Sequence, residues 1–144
     1  MHFRSDPEKH QQLVEELLSV FKGLGYRILG ADGVEGVPRA KRLHNDGYGD
    51  QEDKEPDVYA FDAKQERYVI GEAKTGDNDF ETEHALTQYN VFLDQFDKKT
   101  SRQAMLYVIV PSSRVPEFSS LITHYIHPDY LESIVLVSSK LQAG

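Results

Sequence analysis

The sequence predicts a single α/β domain with a mixed central sheet flanked by helices on both faces. The length of 144 residues fits one domain spanning residues 1–144. Segments with helical periodicity are interspersed with short β-prone runs in the order α-β-β-β-α-β-α-β. Two of the strands are apolar on both faces, which is typical of a sheet that helices cover on each side.

The first helix begins at Pro7, after a suitable N-cap at Asp6, and ends near Gly23. Its apolar residues recur at helical spacing: Leu13, Val14, Leu17, Leu18, Phe21 and Leu24. The first strand follows over residues 26–29. Residues 30–56 have no convincing periodicity, and so long a connection is often functional.

A hairpin follows, with strands over residues 57–62 and 68–74 and a polar turn over 63–66. If residue 63 faces residue 66, Asp57 lies opposite Glu72. Glu72 and Lys74 then point to the same face, because side chains alternate along a strand, and Ala73 points to the other.

The second half of the chain predicts two more helices and two more strands. A helix fits residues 81–96, and a buried strand fits residues 104–110. A third helix fits residues 116–126, and a last strand fits residues 134–137. Strands and helices therefore continue to be interspersed to the end of the domain.

Composition limits the function classes. The absence of cysteine excludes disulfides, cysteine–zinc sites and thiol nucleophiles, and it favours a cytoplasmic location. No apolar run reaches membrane-spanning length, and the N-terminus has no signal-peptide pattern, so we expect no membrane association. The net charge of −8 argues against a nucleic-acid binder, but most of the excess lies in residues 51–100, which carry 6 basic and 13 acidic residues.

The residues with the clearest chemistry are Asp57, Glu72 and Lys74. Directly opposed residues on paired strands have Cβ atoms about 4.5–5.5 Å apart, where two carboxylates repel each other. The arrangement is favourable if a hard cation lies between them. Two carboxylates with a carbonyl oxygen and waters are a typical Mg²⁺ environment.

These residues form the pattern P-D-x14-E-A-K, which resembles the PD-(D/E)XK nuclease superfamily. That superfamily includes restriction endonucleases and archaeal Holliday-junction resolvases. The resemblance implies a restriction-endonuclease-like αβββαβ core, and the predicted element order from residue 7 to about residue 110 matches it. It further implies a metal-dependent endonuclease that hydrolyses phosphodiester bonds in DNA.

The resemblance also implies individual roles. Asp57 and Glu72 bind Mg²⁺ or Mn²⁺, with the carbonyl of Ala73 as a further ligand. The metal polarises the scissile phosphate and lowers the pKa of a bound water. Lys74 orients or helps to deprotonate that water, or stabilises the charge that develops on phosphorus.

Supporting residues are assigned from position. Superfamily members often carry a glutamate on the first helix facing the site, and we choose Glu16 over Gln11 and Glu15. Some superfamily members carry a glutamine on the helix after the E-A-K strand, so the resemblance makes Gln88 a further catalytic candidate. Thr75 lies just past Lys74. Since phosphate contacts are mostly electrostatic, the best nucleic-acid contacts are the basic residues of the long connection: Arg39, Lys41 and Arg42.

Alternatives remain open. Glu72 and Lys74 could form an ordinary surface ion pair, with Asp57 as a turn residue. The domain could also be a catalytically silent nuclease-fold accessory or DNA-binding module of a DNA-processing or mobile-element complex, or a regulatory domain that binds a cation. The expected partner is DNA, with a homodimer or a partner DNA-processing protein as further candidates. The glycines near residue 30 lack the phosphate-loop lysine, so no nucleotide cofactor is expected.

Overall fold

A computed structural model describes residues 7–39, 56–75, 103–126 and 131–140 of the chain. Within these ranges there are two α-helices, α1 (Pro7–Gly23) and α2 (Val115–Tyr125). There are five strands: β1 (Arg27–Ala31), β2 (Val58–Asp62), β3 (Arg67–Ala73), β4 (Met105–Pro111) and β5 (Ile134–Ser139). The predicted N-cap Asp6 and the predicted helix at residues 81–96 lie outside the described residues.

The five strands form one mixed sheet in the order β1-β2-β3-β4-β5, which confirms the predicted α/β class with a mixed central sheet. β1, β2 and β3 pair antiparallel, whereas β3, β4 and β5 pair parallel. The carboxyl ends of β3, β4 and β5 therefore meet at one edge of the sheet. Because β2 runs in the opposite direction, its first residues reach the same edge.

The two described helices cover opposite faces of the sheet. On one face, α1 packs Leu13, Leu17 and Phe21 against Val58 and Val69. On the other face, α2 packs its apolar side chains against a second core cluster that includes Tyr59, Ile70, Leu106 and Val108. Neither α1 nor α2 is long and apolar enough to cross a membrane.

Gly71 allows α1 to lie close to the centre of the sheet. A Cβ atom at this position would be 2.7 Å from Leu17 Cδ2 and 3.1 Å from both Phe21 Cζ and Val58 Cβ. Carbon atoms pack without repulsion at about 3.5–4.0 Å, so a Cβ here would force Leu17 and Phe21 to repack or the helix to move. The missing Cβ of Gly71 thus sets the distance between α1 and β3.

The β2–β3 hairpin has the predicted register. Val58 faces Gly71 and Tyr59 faces Ile70, so the position before β2 faces Glu72. In the turn, Asp62 Oδ1 accepts hydrogen bonds from the backbone N–H groups of Lys64 and Gln65. These hydrogen bonds stabilise a short connection between β2 and β3. The length of this connection determines which residues of the two strands face each other.

The first strand extends further than predicted. The apolar run suggested residues 26–29, but β1 continues to Ala31, with Gly30 facing Tyr59 and Ala31 facing Val58. An irregularity between Ile28 and Gly30 shifts the register there. Gly30 and Ala31 belong to β1 because they pair with β2. The apolar pattern of residues 26–29 contains no information about this pairing.

Candidate active site

Asp57 and Glu72 lie side by side at the sheet edge where β2 begins and β3 ends. The backbone N–H of Asp57 donates a hydrogen bond to Glu72 Oε2 at 2.9 Å. In return, the backbone N–H of Ala73 donates to Asp57 Oδ2 at 2.9 Å. We call Asp57 and Glu72 the carboxylate pair. Each of its members uses one oxygen to bind the backbone of the opposite strand.

The other oxygen of each carboxylate has a different environment. Within the described residues, no nitrogen or hydroxyl group donates a hydrogen bond to Asp57 Oδ1 or Glu72 Oε1. Glu72 is only 2% exposed, so water solvates its carboxyl group only in part. A hard cation prefers oxygen ligands of this kind, and the carboxylate pair therefore fits a divalent metal ion.

Lys74 provides a positive charge beside the carboxylate pair. Its Nζ lies 3.9 Å from Glu72 Oε1, and Lys74 itself is 8% exposed. The backbone N–H of Lys74 donates to the carbonyl of Ile109 at 3.0 Å, which continues the pairing of β3 with β4. The alternative of a solvated surface ion pair between Glu72 and Lys74 is therefore wrong, because both residues are buried. Thr75, the next residue, is also fully buried.

The electrostatic environment favours the neutral form of Glu72. Burial raises the pKa of Glu72 well above its ordinary value, and the negative charge of Asp57 and a side-chain hydrogen bond with Asp57 raise it further. The charge of Lys74 and the hydrogen bond from the Asp57 N–H act in the opposite direction but are weaker. A bound cation would favour the ionised carboxylate, which is the form that binds metal.

His10 contacts the carboxylate pair and is absent from the sequence-predicted site. Its Nε2 lies 3.3 Å from Asp57 Oδ2. His10 shares a helix face with Val14, Leu17 and Phe21, which lie four, seven and eleven residues further along α1. Extending the apolar stripe of α1 toward its N-terminus would have identified His10 as a residue facing the sheet.

The backbone around Asp57 is also fixed by α1 and by the segment after β1. The carbonyl of Asp57 accepts a hydrogen bond from the N–H of Asp32 at 2.8 Å. The side-chain amide of Gln11 donates to the carbonyls of Asp32 and Gly33 at 3.3 and 3.1 Å. Gln11, one of the predicted alternatives on the first helix, therefore supports the loop beside the carboxylate pair.

The structure gives Glu16 other partners. Its carboxylate accepts hydrogen bonds from Ser139 Oγ at 2.8 Å and from the backbone N–H of Lys140 at 3.1 Å. These residues end β5, which lies two strands from β3, or about 10 Å along the sheet edge. A catalytic role for Glu16 remains a prediction. Glu15 is exposed.

The predicted nucleic-acid contacts are described only in part. Arg39 is exposed at the end of the first described range. Lys41, Arg42 and Gln88 lie outside the described residues. Ala73 gives its N–H to Asp57, and the role of its carbonyl as a metal ligand remains a prediction.

Additional protein ligands are not grouped around the carboxylate pair in the described ranges. Within them, no three or more histidine, cysteine, aspartate or glutamate side chains are arranged to hold a metal ion. Mg²⁺ commonly binds through one or two carboxylates and keeps several waters.

Comparisons with protein-family models, with curated proteins and with solved structures each gave no match. Function therefore has to be inferred from the arrangement of Asp57, Glu72 and Lys74 at the sheet edge.

Proposed function

We propose that the chain is a Mg²⁺- or Mn²⁺-dependent endonuclease of restriction-endonuclease-like fold that hydrolyses phosphodiester bonds in DNA. One observation carries the proposal. The buried Glu72 and the adjacent Asp57 each keep one oxygen that receives no hydrogen bond from a nitrogen or hydroxyl group of the described residues, and the ammonium group of Lys74 lies 3.9 Å from Glu72 Oε1. Two candidate metal ligands, Asp57 and Glu72, thus lie at the same sheet edge as Lys74, whose positive charge could act on the reacting phosphate.

The order of the described elements supports this proposal. A helix precedes three antiparallel strands, and a fourth strand then pairs parallel to the third. The αβββαβ core of the PD-(D/E)XK superfamily has the same order, with a second helix between the third and fourth strands. That helix corresponds to the predicted segment 81–96, which lies outside the described residues.

The proposed roles follow from charge and position. When bound, a divalent cation would polarise the scissile phosphate and lower the pKa of a water molecule. Asp57 and Glu72 would hold it, with the Ala73 carbonyl as a further ligand. Lys74 orients the attacking water, accepts its proton or stabilises the charge on phosphorus. The burial of Glu72 and Lys74 strengthens these electrostatic effects.

Substrate binding is assigned to the connection before β2. Arg39 is exposed there, and Lys41 and Arg42 follow it in the sequence. Their charges would contact the DNA backbone, which makes binding sensitive to salt. Glu16 and Gln88 complete the proposed catalytic set. The net charge of −8 limits affinity for DNA and favours help from a second copy or a partner DNA-processing protein.

A second candidate is a catalytically silent nuclease-fold module of a DNA-processing or mobile-element complex. Two observations favour it: the acidic net charge, and the backbone hydrogen bonds that stabilise the carboxylate pair. These bonds give Asp57 and Glu72 a structural role that needs no reaction. The two candidates differ in whether a metal ion activates cleavage.

The test is a cleavage assay with purified protein on supercoiled, linear and branched DNA. We expect cleavage with Mg²⁺ or Mn²⁺ and none with EDTA. Asp57→Asn and Glu72→Gln should each abolish it, whereas Glu15→Gln, which alters an exposed carboxylate on α1, should retain it. If no substrate is cut with either metal although the wild-type protein is folded, the endonuclease proposal is wrong and the silent module is favoured.

A further inference from the structure

We propose that His10 is a positioning residue for Asp57, which it holds so that Oδ1 stays available to a metal ion. The inference rests on the proposed function, because it assigns His10 a task in the same site. The apolar stripe of α1 places His10 on the face toward the sheet, but its contact with Asp57, 47 residues away, is visible only in the folded chain.

The contacts of Asp57 divide its two carboxylate oxygens. Oδ2 receives the backbone N–H of Ala73 at 2.9 Å and lies 3.3 Å from His10 Nε2. Within the described residues, no nitrogen or hydroxyl group donates a hydrogen bond to Oδ1. One oxygen therefore serves the fold, and the other is available for a ligand.

A second donor at Oδ2 is needed because the terminal torsion of an aspartate is soft. The χ2 torsion of aspartate has a broad, roughly two-fold distribution, so a single hydrogen bond leaves the orientation of the carboxylate plane loosely defined. The hydrogen bond from the Ala73 N–H restrains the Asp57 carboxylate from one side only. His10 adds a restraint from α1, on a different element, and the two donors together disfavour rotation.

The direction of the proton follows from the chemistry of the partner. An ionised carboxylate only accepts hydrogen bonds, so His10 contributes Nε2–H to this contact. A neutral imidazole with the proton on Nε2 is sufficient. The positioning role thus needs a donor at this place and does not depend on a positive charge.

The fold fixes the position of His10. His10 lies on the face of α1 that continues through the fully buried Val14, Leu17 and Phe21, so the packing of the helix sets its height above the sheet edge. The neighbouring Gln11 holds the loop at Asp32 and Gly33. The side chain of His10 is 29% exposed and that of Asp57 is 15% exposed, so water competes only partly with their contact.

Metal binding measured without DNA gives a readout separate from activity. We would titrate Mn²⁺ into the wild type, His10→Ala and His10→Gln by calorimetry, and record the urea unfolding of each without metal. Gln12→Ala, which alters the exposed neighbour on α1, is the matched control. Because removal of groups that orient metal ligands typically lowers affinity about 10–100-fold, we expect weakening of at least ~10-fold in His10→Ala. His10→Gln, which keeps an N–H donor, should recover most of the affinity.

The outcomes separate this inference from the proposed function. Asp57-dependent Mn²⁺ binding in the wild type, with equal affinity in folded His10→Ala, would overturn the positioning role and leave the nuclease proposal intact. A loss of affinity in both His10 variants without recovery by glutamine would also overturn it, since a donor alone would then not suffice. If the wild type binds no Mn²⁺, both the inference and the proposed metal site fail.

Discussion

The backbone N–H of Asp57 donates a 2.9 Å hydrogen bond to Glu72 Oε2, so the hairpin itself holds two acidic side chains together. The reciprocal bond from the Ala73 N–H to Asp57 Oδ2 completes the arrangement. An intramolecular hydrogen bond contributes about 0.5–1.5 kcal/mol, and more to a charged group, which helps to offset the cost of burying two acidic side chains. The backbone of the hairpin thus holds the two acidic side chains next to each other.

Glu72→Gln should make the metal-free protein more stable at neutral and alkaline pH. Because burial and Asp57 raise the pKa of Glu72, the folded state binds more protons than the unfolded chain at pH values above 4.5, the ordinary value. The stabilising contribution of the protonated form is complete below pH 4.5 and is lost as the pH rises through the folded-state pKa. Each pKa unit corresponds to about 1.4 kcal/mol. Urea unfolding from pH 4.5 to 8 measures the difference.

Glutamine keeps an oxygen that can accept the Asp57 N–H, so the hydrogen bond to the backbone should survive the substitution. The advantage of Glu72→Gln over the wild type should therefore grow with pH. Glu15→Gln, at an exposed position, should show no such trend. A wild type whose stability rises with pH relative to Glu72→Gln would contradict the raised pKa.

Lys74→Ala should reduce the rate of cleavage much more than it reduces metal affinity. The ammonium group lies 3.9 Å from Glu72 Oε1 but cannot itself bind a cation. Loss of a group that transfers a proton in the transition state costs about 10²–10⁴-fold in rate. Single-turnover cleavage at saturating Mn²⁺ measures this. Lys64→Ala, in the exposed hairpin turn, is the control, and cleavage by Lys74→Ala at the wild-type rate would place the reaction elsewhere.

Divalent ions should stabilise the wild type against unfolding. A ligand present at 100 times its Kd adds about 2.7 kcal/mol when it binds only the folded state. Thermal unfolding in EDTA and in excess Mn²⁺ should therefore differ for the wild type and for Glu15→Gln. Asp57→Asn should lose most of this difference, and an equal Mn²⁺ effect in Asp57→Asn would exclude the carboxylate pair as the site.

Glu16→Ala should destabilise the domain by about 1–3 kcal/mol, because it removes two hydrogen bonds, those from Ser139 Oγ and from the Lys140 N–H. Its described contacts predict no change in Mn²⁺ affinity. Urea unfolding and calorimetry on the same sample separate the two effects. A fall in affinity without a fall in stability would indicate instead that Glu16 acts in the metal site.

Gly71→Ala should destabilise the fold by about 1–3 kcal/mol through overpacking. The new methyl group would lie 2.7 Å from Leu17 Cδ2, so Leu17 must repack or α1 must move. Gly23→Ala is the matched control, since a Cβ there meets no atom within 4 Å. Equal unfolding midpoints for the two variants would contradict the close packing of α1 on β3.

Local signals predicted much of the described fold. The hairpin register followed from two β-prone runs joined by a polar turn, and it correctly placed the position of Asp57 opposite Glu72. The apolar stripe of α1 ends near Gly23 as predicted. By contrast, β1 extends to Ala31 through pairing with β2 across an irregularity, and no local periodicity encodes such pairing.

The site was predictable where its residues lie on one hairpin and not where they come from distant elements. Asp57, Glu72 and Lys74 belong to β2, β3 and their ends, so alternation and register bring them together. His10 lies 47 residues before Asp57, and a single histidine in the first helix carries no signal of that contact. The partner of Glu16 at Ser139 is 123 residues away, which no sequence window can reveal.

The most direct test of the metal site is anomalous diffraction from crystals grown with Mn²⁺. We expect a peak in contact with one oxygen of Asp57 and one oxygen of Glu72, and no such peak in Asp57→Asn crystals. The contradicting result is a crystal grown at saturating Mn²⁺ that shows no peak at this position although Asp57 and Glu72 keep the hydrogen bonds described above. The carboxylate pair would then not be a metal site.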